Sequence, residues 1–252
     1  MKKIIPLMLA VALLLSMSVP AFAAAPVSDD CDVIASYEEK TAETPVISVT
    51  IDWEGMAFTY EAASDPVWNA DTHQYEEQKG GWKEGVGTIT ITNDSDMILK
   101  AGLTYSKADE YDDIDMKFTH NAPYIGSAFN KAEGAGDACT VQVLAVPVGD
   151  LSKPDTEKAT IGNIKVTVES GAEWTAVAND IEGEYGSVMI PGGTAVDRGA
   201  AYFESKTVQN AVQGAYDDLM DLVDGGTIEG PELNAKLNGL ITAYYNAIKI
   251  GQ

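Results

Sequence analysis

Between residues 46 and 170 the chain repeats one demanding pattern: apolar residues at every second position, in short runs closed by turn residues. Ile47, Val49, Ile51 and Trp53 alternate with Ser48, Thr50 and Asp52, and Ile89 and Ile91 alternate with Thr88, Thr90 and Thr92. Met97, Leu99, Ala101, Leu103 and Tyr105 share one parity; so do Ile114, Met116 and Phe118, then Val141, Val143 and Ala145, then Ile164, Val166 and Val168. Successive side chains of a strand point to opposite faces, so this spacing gives strands with one buried and one wetted face. A parallel sheet covered on both sides would need strands apolar throughout. The expected fold is mainly β, an antiparallel Ig-like β-sandwich of about seven strands over residues 46–170. Met56, Phe58 and Tyr60 continue the parity of Trp53 across Glu54-Gly55, which predicts a hairpin between the first two strands. Asn93-Asp94-Ser95-Asp96 marks a further turn.

After Ala201 the period changes. Val208, Val212, Ala215, Leu219 and Leu222 recur three or four residues apart, and so do Leu233, Leu237, Leu240, Tyr244 and Ile248, the stripe of an amphipathic helix. Pro231 suits a first helical position, and Glu232 suits the positive end of the helix dipole. The spacing predicts an α-helical hairpin at 203–252, with helices over 203–223 and 231–249. Two helices alone bury too little to persist in water. The hairpin therefore needs cover from the sandwich, from a second copy or from another protein. Residues 171–202 are rich in glycine and hold no sustained period; they read as an irregular connector with one further strand at 188–190.

The chain opens with Lys2 and Lys3, a nearly unbroken apolar run from 4 to 19, and Ala21-Phe22-Ala23. This is the pattern of a secretory signal peptide over residues 1–24; a membrane anchor is disfavoured by the short run and the small-residue site. An acidic flexible extension follows at 25–45. The expected localisation is secreted, with no membrane insertion after cleavage. The formal charge is −23, and Arg198 is the sole arginine. Such a surface repels phosphate backbones and anionic lipid, so nucleic acid is not an expected partner. Export makes a disulfide between Cys31 and Cys139 available, worth ~4–5 kcal/mol by loop-closure entropy; the alternative is two free thiols.

Trp68, His73, Tyr75 and Trp82 lie close together in PVWNADTHQYEEQKGGW, residues 66–82. Aromatic faces stack on sugars or anchor an interface, which makes these four the ligand-binding candidates. The alternative is that both tryptophans plug the edge of the sandwich around a polar turn. His73 and His120 are the two histidines, at a spacing that matches no zinc motif; His120 falls on the parity of Met116 and Phe118 and ends a strand at the core rim. Asp109, Asp112, Asp113 and Asp115 form an acidic run of the kind calcium uses, with a solvated loop as the alternative. A second acidic loop at 221–233 has Val223 and Gly225 where an EF-hand needs ligand oxygens, which rules that site out. No catalytic motif is present and no cofactor is called for. The sequence-level reading is an exported, non-catalytic binding module for a glycan, cell-wall or protein ligand. A structural subunit assembling as a homo-oligomer through the helical hairpin is the alternative, with a glycan-active hydrolase behind it.

VISVTIDWEGMAFTYE, W-N-A-D-T-H-Q-Y, G-G-W and TITITNDSD resemble a domain of exported proteins from gut Firmicutes. ATIGNIKVTVE resembles that domain's last strand, and the resemblance spans about residues 46–170. Glu54 stands as an insertion where the family pattern runs D-W-G straight on. The resemblance implies a β-sandwich in a surface or secreted protein and implies no activity.

Overall fold

The computed structural model describes residues 47–128, 138–152, 158–171, 173–225 and 230–252. The expected signal peptide at 1–24, the expected extension at 25–45 and Cys31 lie outside the described residues. What is described is mainly β, with three helices. Val49–Glu54 (β1), Gly87–Asn93 (β6), Cys139–Val148 (β10) and Asp115–Phe118 (β8) form an antiparallel sheet in the order β1-β6-β10-β8. Gly162–Ser170 (β11), Leu99–Lys107 (β7) and Tyr124–Ile125 (β9) form a second, ordered β11-β7-β9. Among the described residues the rest of the β structure is three small antiparallel pairs and, where a strand at 188–190 was expected, a single parallel bridge from Met189 to Tyr202. The pairs are Tyr60–Glu61 (β2) with Gly81–Trp82 (β5), Ser64–Asn69 (β3) with Gln74–Gln78 (β4), and Ala201–Phe203 (β12) with Ile248–Ile250 (β13).

The alternation read from the sequence is the alternation of burial. Along β6, Gly87, Ile89, Ile91 and Asn93 are buried while Thr88, Thr90 and Thr92 are half-buried. Leu99, Ala101 and Leu103 bury one face of β7, and Val141, Val143 and Ala145 one face of β10. Asn93 is a polar side chain in an apolar phase. Its Nδ2 donates to the carbonyls of Met97 (2.8 Å) and Gly126 (2.8 Å), and its Oδ1 accepts from Ser95 N (2.8 Å). The side chain thereby closes the corner at which the chain leaves the four-stranded sheet for the three-stranded one.

The expected hairpin at 54–55 does not form. β1 pairs with β6, and the chain beyond Glu54 turns aside at Gly55, whose φ is 69°. A Cβ on Gly55 would meet the Val86 carbonyl at 2.7 Å, so the segment crosses β6's entrance instead of returning along β1. Tyr60–Glu61 pairs with Gly81–Trp82 instead.

The connector also differs from expectation: Trp174–Tyr185 is a helix, α1, followed by Lys206–Asp224 (α2) and Pro231–Tyr245 (α3). Trp174, Val177, Ala178, Ile181 and Tyr185 recur at helical spacing, with Val177, Ala178 and Ile181 buried. Ser205 caps α2, its side chain accepting from Val208 N. The last helix stops at Tyr245, short of the expected 249, because Asn246 is held elsewhere. Its Oδ1 accepts from Gln142 N (2.8 Å) and its Nδ2 donates to Thr140 O (3.1 Å). That side-chain amide stands in for a strand neighbour along the part of β10 that β8 does not reach. The residues beyond it form β13.

One core cluster takes in residues of both main sheets and all three helices. Leu219, Leu237, Leu240 and Ile241 are fully buried, each contributing about 1.5–3 kcal/mol. The apolar stripe of the α2–α3 hairpin is thus covered by the chain itself. Among the described residues no helix is long and apolar enough to cross a membrane.

Candidate functional site

The Trp-framed segment is a projecting β-hairpin. Every residue of β4 is exposed, and so is every residue of β3 except Asn69. Trp68 lies directly opposite Tyr75, and Val67 opposite Glu76. Side-chain alternation then puts Trp68, Tyr75 and Glu77 on one face and Val67, Asn69 and Glu76 on the other. The Trp68 and Tyr75 rings meet edge to face at 5.3 Å, and the His73 ring stands 6.3 Å from Trp68. Trp68 retains 50% and Tyr75 71% of its surface.

The tip is built from polar turn chemistry. Asn69 Oδ1 accepts from Asp71 N (2.9 Å) and Thr72 N (3.3 Å), and Asn69 Nδ2 donates to Glu76 Oε1. His73 closes the turn at φ 51°, the sole non-glycine residue with positive φ among those described. That conformation costs an L-residue roughly 1–2 kcal/mol. His73→Gly is therefore expected to slow amide exchange across β3 and β4 by roughly threefold, and His73→Val to speed it about tenfold. Equal exchange in all three proteins would show that the tip carries no strain.

Trp82 does not join this cluster. It sits half-buried at the hairpin's base, 5.2 Å from the Tyr60 ring, and its Nε1 donates to Gly149 O (2.7 Å). Tyr60 Oη donates to Asp150 Oδ1 (3.1 Å). Gly149 has φ 94°, and a Cβ there would meet Asp113 O at 2.2 Å, so this anchor point requires glycine. Arg198 braces the same corner, its Nε donating to Pro147 O (2.7 Å) and its Nη1 to Lys83 O (3.4 Å). One tryptophan fixes the base, as the edge-plug reading expects; the other is presented to solvent.

The remaining candidates are scattered. His120 is buried, 9% exposed, with its ring 5.3 Å from Tyr244 and 4.6 Å from Tyr245. Burial pushes its pKa down to about 4, against a bond to the Tyr245 main chain that favours the charged form. It shares no site with His73. Asp109 lies in a one-turn 3-10 helix, Asp109–Tyr111. Asp115 is bonded to Lys117 (2.8 Å), which holds its carboxyl below the usual range, and Lys107 Nζ donates to Asp112 O (2.8 Å). Asp109, Asp112 and Asp113 are exposed and Asp115 is half-buried; among the described residues no three of His, Cys, Asp or Glu gather into a group that could hold a metal ion. Cys139 is buried, 3.8 Å from Thr242 Oγ1, with no disulfide partner among the described residues, Cys31 lying outside them; burial pushes its thiol pKa up. A depression of about 330 Å³ between β7 and β8 takes in only Asp115 of the sequence-marked residues.

No family model, curated protein or solved structure matches this chain.

Proposed function

We propose that this chain is an exported, non-catalytic binding module that meets its ligand with the β3–β4 hairpin. The carrying observation is that Trp68 and Tyr75 are solvent-facing on a hairpin whose strands add no residue to the buried core. Large aromatics left in water cost solubility, and paired on one face they form a ready anchor for a ligand. The Lys2/Lys3, apolar-run and Ala21-Phe22-Ala23 pattern supports export, as does the resemblance to exported proteins.

We read the two larger sheets, of four and three strands, as the layers of a seven-stranded sandwich. Counting only those seven in chain order, the sheets run 1-2-6-4 and 7-3-5. An immunoglobulin constant domain runs 1-2-5-4 and 7-6-3, so the fifth and sixth strands have changed layers. The assembly-subunit alternative rested on an uncovered helical stripe, and that stripe lies in the chain's own core. The hydrolase alternative gains no supporting observation.

The test is a double variant, Trp68→Ala/Tyr75→Ala, screened beside the unchanged protein on glycan, cell-wall and protein panels. Its melting temperature should stay within about 2 °C, since exposed substitutions rarely cost more than ~0.5 kcal/mol. Binding should fall at least about tenfold. A ligand held equally well by both proteins would remove the hairpin from the function.

A further inference from the structure

We propose that the β3–β4 hairpin docks a cationic segment of another protein, which lays a Lys or Arg side chain on the Trp68–Tyr75 face. This rests on the hairpin being the contact surface and names what it contacts. The first observation is where apolar surface is concentrated. The exposed large hydrophobics among the described residues are Val67, Trp68, Tyr75 and Met189, and three of those four belong to this hairpin. Such clustering on one projecting element marks a contact surface rather than scattered exposure.

The second observation is charge. Residues 64–78 carry Asp65, Asp71, Glu76 and Glu77 and neither Lys nor Arg; the nearest lysine is Lys79, one residue past the end of β4, so the hairpin and its exit remain net acidic. Lys83, at the base, is engaged with Glu61 at 3.6 Å. Glu77 follows Tyr75 by two residues along β4, so strand alternation puts it on the side of the aromatic face, opposite the irregular stretch of β3 between Ser64 and Val67. The face of an aromatic ring is its negative side and attracts a cation, most of all for Trp and Tyr. The edge-to-face packing of Trp68 on Tyr75 leaves ring surface open, as their exposures show. A Lys or Arg side chain would meet ring faces along its stem and a carboxylate at its head.

Charge also excludes the other occupants. A second copy of this chain would bring another −23 against the hairpin. The chain's own segment at 25–45 sets Asp29, Asp30, Asp32, Glu38, Glu39 and Glu43 against the single Lys40, and its net negative charge disfavours it likewise. Anionic glycans and lipid headgroups meet the same repulsion. A protein segment is favoured over a neutral sugar because, among the described residues, β3 and β4 pair only with each other, leaving strand edges that an extended segment can use.

The test uses the mature full-length chain and three probes: a short alternating Lys-Ser peptide, its Glu-Ser counterpart and cellohexaose. Binding is measured at low salt and near physiological salt. The expected result is binding of the Lys-Ser peptide alone. Trp68→Ala/Tyr75→Ala, which leaves the charge unchanged, should weaken it roughly tenfold. Asp71→Asn/Glu77→Gln should weaken it about three- to tenfold, as should salt. Lys-Ser binding that salt abolishes and neither variant alters would be diffuse attraction to an acidic protein and would overturn the proposal. Cellohexaose binding lost with the aromatic variant, without Lys-Ser binding, would overturn it too and leave the binding-module reading standing. If no ligand from these probes or from the panels responds to the aromatic variant, both readings fall.

Discussion

Acidification from pH 7 to pH 4 is expected to remove about 3 kcal/mol of stability through His120 alone. Its imidazole is wedged against Tyr244 and Tyr245, and Nε2 has no hydrogen-bond partner among the described residues. A proton placed there would put a charge in an apolar, aromatic setting. The folded pKa is about 4, against an unfolded value of 6.5. With the folded pKa depressed, the unfolded chain takes up the proton first as pH falls. The contribution is complete above pH 6.5 and is lost progressively between 6.5 and 4. The measurement is urea unfolding of the wild type and His120→Gln across that range. Other carboxylates titrate in both proteins, so the difference between the two curves isolates His120. The advantage of the wild type should shrink by about 3 kcal/mol on going from pH 7 to pH 4. Two parallel curves would mean that His120 titrates normally and that its burial has been misjudged. Because Tyr244 and Tyr245 belong to α3, the helical layer should be the first to loosen.

Asn93→Ala is expected to destabilise the fold by about 4 kcal/mol, lowering the melting temperature by roughly 10 °C. The side chain is fully buried and serves the Met97, Gly126 and Ser95 backbone groups, with Ile125 O at 3.4 Å. Alanine would leave those groups in the interior without partners, each costing about 1–3 kcal/mol. Asn93→Asp should be no milder, since it removes the Nδ2 donors and buries a charge. Thermal and urea unfolding would read the effect. A loss below about 1 kcal/mol would show that solvent reaches the corner and satisfies those groups.

The candidate site was partly legible in the sequence. Trp68, His73, Tyr75 and Trp82 stand out because aromatics in a polar loop need a reason to be there. Sequence spacing could not separate them. Trp68 and Tyr75 are joined by cross-strand register, while Trp82 is drawn to Tyr60 and Gly149 by contacts with a loop some seventy residues away. The His73 turn residue could have been anticipated only from a hairpin register, because αL geometry appears once the strands on either side are paired. His120 was expected to end a strand at the core rim; β8 stops two residues earlier, at Phe118, and the tyrosines that bury His120 come from a helix more than a hundred residues later.

By itself the sequence determined which residues face inward. Period-two runs at Ile89 and Ile91 or Leu99 to Leu103 commit those faces, because a slip of one residue would expose every apolar side chain. It likewise determined the two long helices through their three-and-four spacing. Partner choice was left to the tertiary structure. The parity from Trp53 into Met56 fits a local hairpin and the observed pairing of β1 with β6 equally well, and Gly55 packed against Val86 decides between them. The helix at Trp174–Tyr185 carried its spacing openly, yet in a glycine-rich stretch only burial against the core makes that spacing count. The end of α3 is set by the hydrogen bonds Asn246 makes to β10, an interaction between distant segments that no local propensity encodes.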